Sequence, residues 1–212
     1  MSAVGGAFMV CFGYLLGAVP WGVVLGRILQ STDLRNHGSG STGSTNAYRV
    51  LGWRVSVIVL VLDIVKGAVP VLLTRWLGGG EWLQAFVAVA TVVGHCWSPF
   101  IHFRGGKGVA TTAGAAAALT PWVLLVVPLM VFVVAIWRYV SLASMIAVAT
   151  AAVGVTVADL LGHGSPAWVF ALWSMTAIIV VQHRSNIERL RAGTERRLTR
   201  NRRLTAENTG IR

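Results

Sequence analysis

The chain has 212 residues, 55% of them hydrophobic and only 12% charged, where a soluble domain carries about 25% charged residues. That balance excludes an ordinary soluble globule and points to a polytopic membrane protein, since about 20 apolar residues span the hydrocarbon core. The net charge of +11 is concentrated: nine of the eighteen Lys and Arg lie at or after Arg184. A basic tail behind a membrane span is more economically an orientation signal and a contact for membrane lipids than a nucleic-acid surface, so no nucleic-acid partner is expected.

Seven apolar spans can be drawn in chain order, at 4–29, 55–77, 82–101, 108–120, 121–140, 142–161 and 166–184. The first lacks a basic region ahead of it and continues past Pro20, which reads as a retained span and not a cleaved signal. The fourth is short and alanine-rich, as suits a helix packed among others instead of facing lipid. With the arginine-rich tail inside, an odd number of spans puts the N-terminus outside. Arg35, Arg49, Arg54, Arg104, Lys107 and Arg138 then fall on the cytoplasmic side, while Glu81 and Asp159 mark external turns with Arg75 the only basic residue nearby, as the positive-inside rule asks. The expected fold is therefore an all-α membrane helix bundle of seven transmembrane helices, N-terminus outside and C-terminus cytoplasmic. One transmembrane domain covers 1–184 and a basic cytoplasmic tail covers 185–212. Cys11 and Cys96 lack the spacing of a disulfide or metal site and read as small apolar filler.

Four polar segments interrupt the apolar pattern. The first, GSGSTGSTNAYR over 38–49, sets Gly38, Gly40 and Gly43 among hydroxyls and ends on Asn46 and Arg49. Its glycines permit turns in which consecutive N–H groups converge on an anion. A helix starting near Thr45 would place Thr45 and Asn46 at an N-terminus, itself an anion site. A flexible Gly/Ser linker is the alternative, but a linker has no need of Asn46 and Arg49. The second, FRGGKGVAT over 103–111, surrounds Lys107 with Gly105, Gly106 and Gly108 at the start of a helix. It departs from a Walker A loop, because glycine follows the lysine, which disfavours nucleotide hydrolysis.

The third segment, RYVSLAS over 138–144, combines interface anchors with Ser141. The fourth, around His183 and Asn186, places those two residues three apart, on one face if the helix continues. The H-x4-E spacing from His183 to Glu188 turns away along a helix and reads as chance. Within the second span, Asp63 and Lys66 are costly charges unless paired. A self-satisfying pair is the simpler reading, and a proton or ion pathway, hence a transporter, the sharper one. No nucleophile elbow, metal-ligand spacing or acid–base carboxylate pair is present in the sequence, so no metal and no cofactor is expected.

Taken in order, GSGSTGSTNAYR, LDIVKG, GHCWSPFIHFRGGKGVAT, RYVSLAS and HRSNIERLRAGTE resemble the signatures of the PlsY family. These are bacterial integral-membrane glycerol-3-phosphate acyltransferases that use acyl phosphate as donor. The similarity runs from about Tyr14 to Glu195. The resemblance implies transfer of a fatty acyl group from acyl phosphate to the sn-1 hydroxyl of glycerol 3-phosphate, giving lysophosphatidic acid and phosphate. It also implies residence in the bacterial plasma membrane, with the site facing the cytoplasm. Matched by position, Ser39, Lys107, His183 and Asn186 would form the catalytic set. Gly38, Gly40, Gly43, Thr45, Asn46, Arg49, Gly105, Gly106, Gly108 and Ser141 would bind substrate.

Arg49 and Lys107 are expected to neutralise the phosphates, and the glycine amides of both loops to hold the acyl-phosphate end and the oxyanion. Because acyl phosphate is already activated, no acyl-enzyme is required. The attacking hydroxyl's proton would go to the substrate's own phosphate or to His183, of which the phosphate is favoured. Three positions depart from the family: Ser41 stands where asparagine is usual, Ser44 where alanine is, and Val181-Gln182 where a tyrosine-arginine pair is. The last leaves a missing positive charge that Arg184 could supply.

Overall fold

A computed structural model of the chain describes residues 1–198. Among these, ten α-helices and three short 3-10 turns account for the elements. The helices are α1 (Ala3–Gly17), α2 (Trp21–Gln30), α3 (Ser44–Leu51), α4 (Trp53–Trp76), α5 (Glu81–Cys96), α6 (Val109–Leu119), α7 (Val127–Trp137), α8 (Val140–Leu160), α9 (Pro166–Gln182) and α10 (Arg184–Arg191). The fold is all-helical, as expected.

The outer surface is inverted relative to a soluble protein. On α4, Val57, Ile58, Val61, Val65 and Leu72 are exposed while Asp63 and Lys66 are buried, an arrangement stable only in an apolar solvent. Trp53 and Trp137 mark one rim of this surface, and Trp76, Trp82 and Trp122 the other, all exposed. Such rings suit the two membrane–water interfaces.

Helices pack through small residues, because lipid gives them no hydrophobic reason to associate and only close approach rewards them. Two reciprocal glycine contacts show this. A side chain on Gly67 would strike the Thr111 carbonyl, and one on Gly114 the Ile64 carbonyl, so α4 and α6 lie backbone to backbone. Gly17 against Thr91 and Gly94 against Tyr14 do the same for α1 and α5. The core continues through Ala85, Ala88, Ala115, Ala152, Ala171, Leu172 and Met175. The short, alanine-rich α6 is thus an interior helix, for the reason the sequence suggests.

The expected spans are not all single continuous helices. The first breaks at Ala18–Pro20 into α1 and α2. The last ends at Gln182, and α10 leaves α9 at 59°. Four stretches are long and apolar enough to cross a membrane alone, Ala3–Gln30, Trp53–Trp76, Glu81–Ile101 and Val140–Leu160, and the bent α9–α10 pair makes a fifth. The α6 helix and the Pro121–Trp137 stretch are shorter.

Candidate active site

The first glycine segment is shaped by one side chain. Asn46 is 1% exposed and uses its whole amide inside the loop. Its Oδ1 accepts from the Ser39 N–H at 2.8 Å, and its Nδ2 donates to the carbonyls of Leu34, His37 and Ser41 at 2.9–3.0 Å. Gly38 and Gly40 take positive φ angles of 63° and 72°, which side chains resist, and a Cβ on Gly38 would meet Asn46 Oδ1. The amide of Gly40 is also spent, on the His37 carbonyl. Asn46 is therefore the bracket of this loop, and the Ser39 and Gly40 amides are engaged within it. Helix α3 does begin where expected, with the amides of Asn46 and Ala47 donating to the Gly43 carbonyl. Thr45 and Arg49 fall one turn apart on it, and Ser39 itself is exposed.

The second loop is likewise held by its glycines. The Gly105 amide donates to the Cys96 carbonyl and the Gly106 amide to the His95 carbonyl, both at 3.1 Å. Any side chain on Gly105 would hit the backbone of α5. These two glycines serve close approach, and both amides are engaged within the protein. Gly108, at φ 83°, turns the chain into α6. Among the described residues, the amides of Lys107, Gly108 and the first turn of α6 have no backbone partner, as helix geometry leaves the first N–H groups without intrahelical acceptors.

Opposite this loop, the α9–α10 bend buries His183 to 2% and Asn186 to 4% exposure. His183 Nδ1 lies 2.8 Å from the Ile179 carbonyl. That nitrogen must then carry the proton, and Nε2 keeps a lone pair. Lys107 Nζ donates to Asn186 Oδ1 at 2.5 Å, joining the second loop to the fourth segment.

Asn186 in turn donates to Glu195 Oε1 at 2.6 Å, as Ser141 Oγ does at 2.8 Å, and Arg189 Nε donates to Glu195 Oε2 at 2.8 Å. Glu195 is thus a buried hub between α8 and α10. The Leu198 amide, donating 2.7 Å to the Arg138 carbonyl, and Arg138 Nε, returning 3.0 Å to the Leu198 carbonyl, clamp the segment that carries it. Residues 194–198 therefore dock on the α7–α8 joint. The remainder of the tail, expected at the membrane surface, lies outside the described residues.

The cluster is electrostatically tight. Burial holds the Lys107 ammonium down at about 8; Glu195 opposes this, while Arg189 and Arg49 add to it. Burial would raise the Glu195 carboxyl, but bonds from Asn186, Ser141 and Arg189 hold it below the usual range. Arg49 faces Arg196, Glu195 and Arg189, and His183 feels the charges of Lys107 and Glu195. Arg49, Lys107, Ser141, His183 and Asn186 are therefore brought together from four segments. A cavity of about 310 Å³ bounded by Thr120, Val123, Thr150, Gly154, His163 and Trp168 lies beyond the far end of α6, away from this cluster.

A family model described as glycerol-3-phosphate acyltransferase matches residues 7–193. The chain belongs to that family. A glycerol-3-phosphate acyltransferase of Trichlorobacter lovleyi is 44% identical over 191 residues, 90% of this chain and 96% of that one. The enzyme of that name from Thermus thermophilus is 43% identical over 187 residues, 87% of this chain and 91% of that one. A crystal structure of PlsY, an integral membrane glycerol 3-phosphate acyltransferase, in its glycerol 3-phosphate form superposes with a TM-score of 0.84 at 36% identity, covering 98% of this chain and 100% of the other. A second, in the lysophosphatidic acid form, gives 0.82 at 35% identity, covering 92% and 96%. The resemblance to the PlsY family is thereby established, and the chain is a bacterial membrane acyltransferase of lipid biosynthesis.

Two polar residues of this acyltransferase cluster had no assigned role in the sequence reading. Glu195 closes the HRSNIERLRAGTE segment, two residues past the family-model match, and an acid standing in an arginine-rich tail is the signal that marks it. Arg189 brings a positive charge to the cluster, the place given to Arg184, which is exposed on α10.

Proposed function

We propose that this glycerol-3-phosphate acyltransferase takes its acyl group from acyl phosphate and delivers it to the sn-1 hydroxyl of glycerol 3-phosphate. The observation that carries the reading is the convergence of Lys107, Arg49 and the opening amides of α6 beside His183 and Asn186. Two cations and a helix N-terminus suit a reaction in which both substrates bear phosphate, since charge-assisted contacts are the strong ones.

The hydroxyl oxygen attacks the acyl carbonyl carbon, forming the new C–O bond and a tetrahedral oxyanion. The amides of Lys107, Gly108 and the first turn of α6 stabilise that charge as it develops. Collapse breaks the bond between the acyl carbon and the phosphate oxygen, and phosphate leaves with the electron pair. The hydroxyl proton ends on that phosphate, whose second pKa near 6 resembles that of a phosphorylated side chain. His183 Nε2 is the other acceptor. No side chain becomes acylated, because the donor is activated already, and positioning with electrostatics supplies the rate.

In this reading the loops face the cytoplasm of a bacterial plasma membrane, seven spans carry them, and the acyl chain lies between helices open to the bilayer. The direct test incubates purified protein with acyl phosphate and labelled glycerol 3-phosphate. Labelled lysophosphatidic acid with release of phosphate is expected. Its appearance only with acyl-CoA or acyl carrier protein would replace the donor. His183→Ala is expected to keep the pH dependence of turnover; its loss with substrate binding intact would make histidine the base.

A further inference from the structure

Beneath the second glycine loop lies a buried polar chain that the reaction above does not use. Lys66 Nζ lies 2.8 Å from Asp63 Oδ1, with both side chains 2% exposed, and donates to the Val19 carbonyl at 2.7 Å. That carbonyl is freed by the break between α1 and α2, where Ser98 Oγ also donates to the Ala18 carbonyl at 2.6 Å. Asp63 Oδ1 is buried without a hydrogen bond of good geometry, and His95 Nδ1 stands 3.7 Å from it. At that separation no hydrogen bond forms, but the carboxylate's charge favours a proton on Nδ1, and Nε2 lies across the ring.

On that other side is Gly106. A Cβ built on Gly106 would overlap His95 Nε2 and Cε1, with Thr42 Oγ1 of the first glycine segment 3.1 Å away. The Gly106 amide is also bound to the His95 carbonyl at 3.1 Å. Gly106 is thus pressed between the His95 ring and Thr42, one residue from Lys107. Its backbone does not adopt a positive φ, so an alanine there is opposed by the ring and not by conformation.

We propose that His95, oriented by Asp63 and anchored through Lys66 to the α1–α2 break, is a positioning residue. Its ring is the seat that fixes the height of Gly105–Gly108, and so of Lys107, against the substrate phosphate. This rests on the reading of Lys107 as a phosphate ligand. It also gives the Asp63–Lys66 pair a purpose beyond satisfying itself: the pair transmits the fixed position of one helix break to the loop.

The test is a double-mutant cycle on the full chain purified in detergent. Gly106→Ala in the native background is expected to raise KM for glycerol 3-phosphate about tenfold, with kcat changed less than about threefold. His95→Ala is expected to raise KM similarly. Combined, they are expected to be far from additive, because the new methyl enters the space the ring vacates. Additive costs would overturn the proposal, as would losses confined to kcat.

The part played by Asp63 is read from Asp63→Asn combined with Lys66→Met, which leaves no lone buried charge. A retained unfolding midpoint with KM raised as in His95→Ala supports the proposal, and an unchanged KM overturns it. If the native chain makes no lysophosphatidic acid, the reaction reading falls. Glycerol 3-phosphate binding, read as a shift of the unfolding midpoint in the same variants, then decides the positioning role. A native chain that binds no phosphate ester overturns both.

Discussion

Lys107 shows how burial is turned to use at one residue. An ammonium held near 8 instead of its ordinary 10.5 is charged at neutral pH, yet it is costly enough to keep that it gains from any anion brought to it. The free protein loses this charge as pH rises through about 8, while the unfolded chain keeps it to 10.5. Between those limits the unfolded state binds one proton more, so the lysine's contribution to folding stability improves with pH even as its grip on phosphate fails. We expect kcat/KM for glycerol 3-phosphate to fall above an apparent pKa of about 8, since that ratio reports the free enzyme. Lys107→Arg should remove this limb, because guanidinium stays charged; a limb persisting in that variant would assign it elsewhere.

Glu195 carries the opposite charge for a structural end. Three donors, Ser141, Asn186 and Arg189, converge on it. Glu195→Ala leaves Ser141 and Asn186 facing a buried gap and takes the carboxylate from the part-exposed Arg189, and should cost about 2 kcal/mol, seen as a lowered unfolding midpoint.

At the scale of elements, what could be read from the sequence was what depends on neighbours along the chain. The α3 start follows from glycine and hydroxyl residues ahead of Asn46, the interior place of α6 from its alanines, and the Asp63–Lys66 pair from helical spacing. The breaks at Ala18–Pro20 and at His183 depend on partners remote in sequence. Ser98 and Lys66 satisfy the carbonyls freed at the first, and Lys107 and Glu195 engage Asn186 just past the second. Hydropathy continues through the first, so the apolar pattern alone runs one span across it; at the second it drops into the polar α10, and what the sequence hides there is the 59° bend.

The same limit explains the glycines. Composition shows that a loop can present amides but not which of them are already spent on His95, Cys96 and His37. Asn46 is the element-scale test. Asn46→Asp keeps an acceptor for the Ser39 amide but turns a carboxylate oxygen toward three carbonyls, an unsatisfiable arrangement. It should abolish turnover and open 38–43 to proteolysis while the midpoint for the bundle moves little. Preserved turnover would return Asn46 to a dispensable role.

For the whole molecule the decisive quantity is which ends of the helices share a side. All the site loops, the α2–α3 and α5–α6 connections, the α7–α8 joint and the α9–α10 bend, sit at the end of the bundle that carries Arg49, Arg104, Lys107, Arg138 and Arg189. The opposite end holds Glu81, which accepts from Ser165 at 2.7 Å, and His163. Basic residues near span ends are retained in the cytoplasm, so this polarity predicts an orientation that helix geometry alone does not. Single cysteines placed at Ser2, His163 and Arg191, all exposed, report it once Cys11 and Cys96 are replaced. A membrane-impermeant maleimide added to intact cells should label Ser2→Cys and His163→Cys, and should reach Arg191→Cys only after permeabilisation. Labelling of Ser2→Cys and Arg191→Cys from the same side would require an even number of crossings. The α6 helix or the Pro121–Trp137 stretch, the two shortest apolar segments, would then be the one that enters and leaves by the same face.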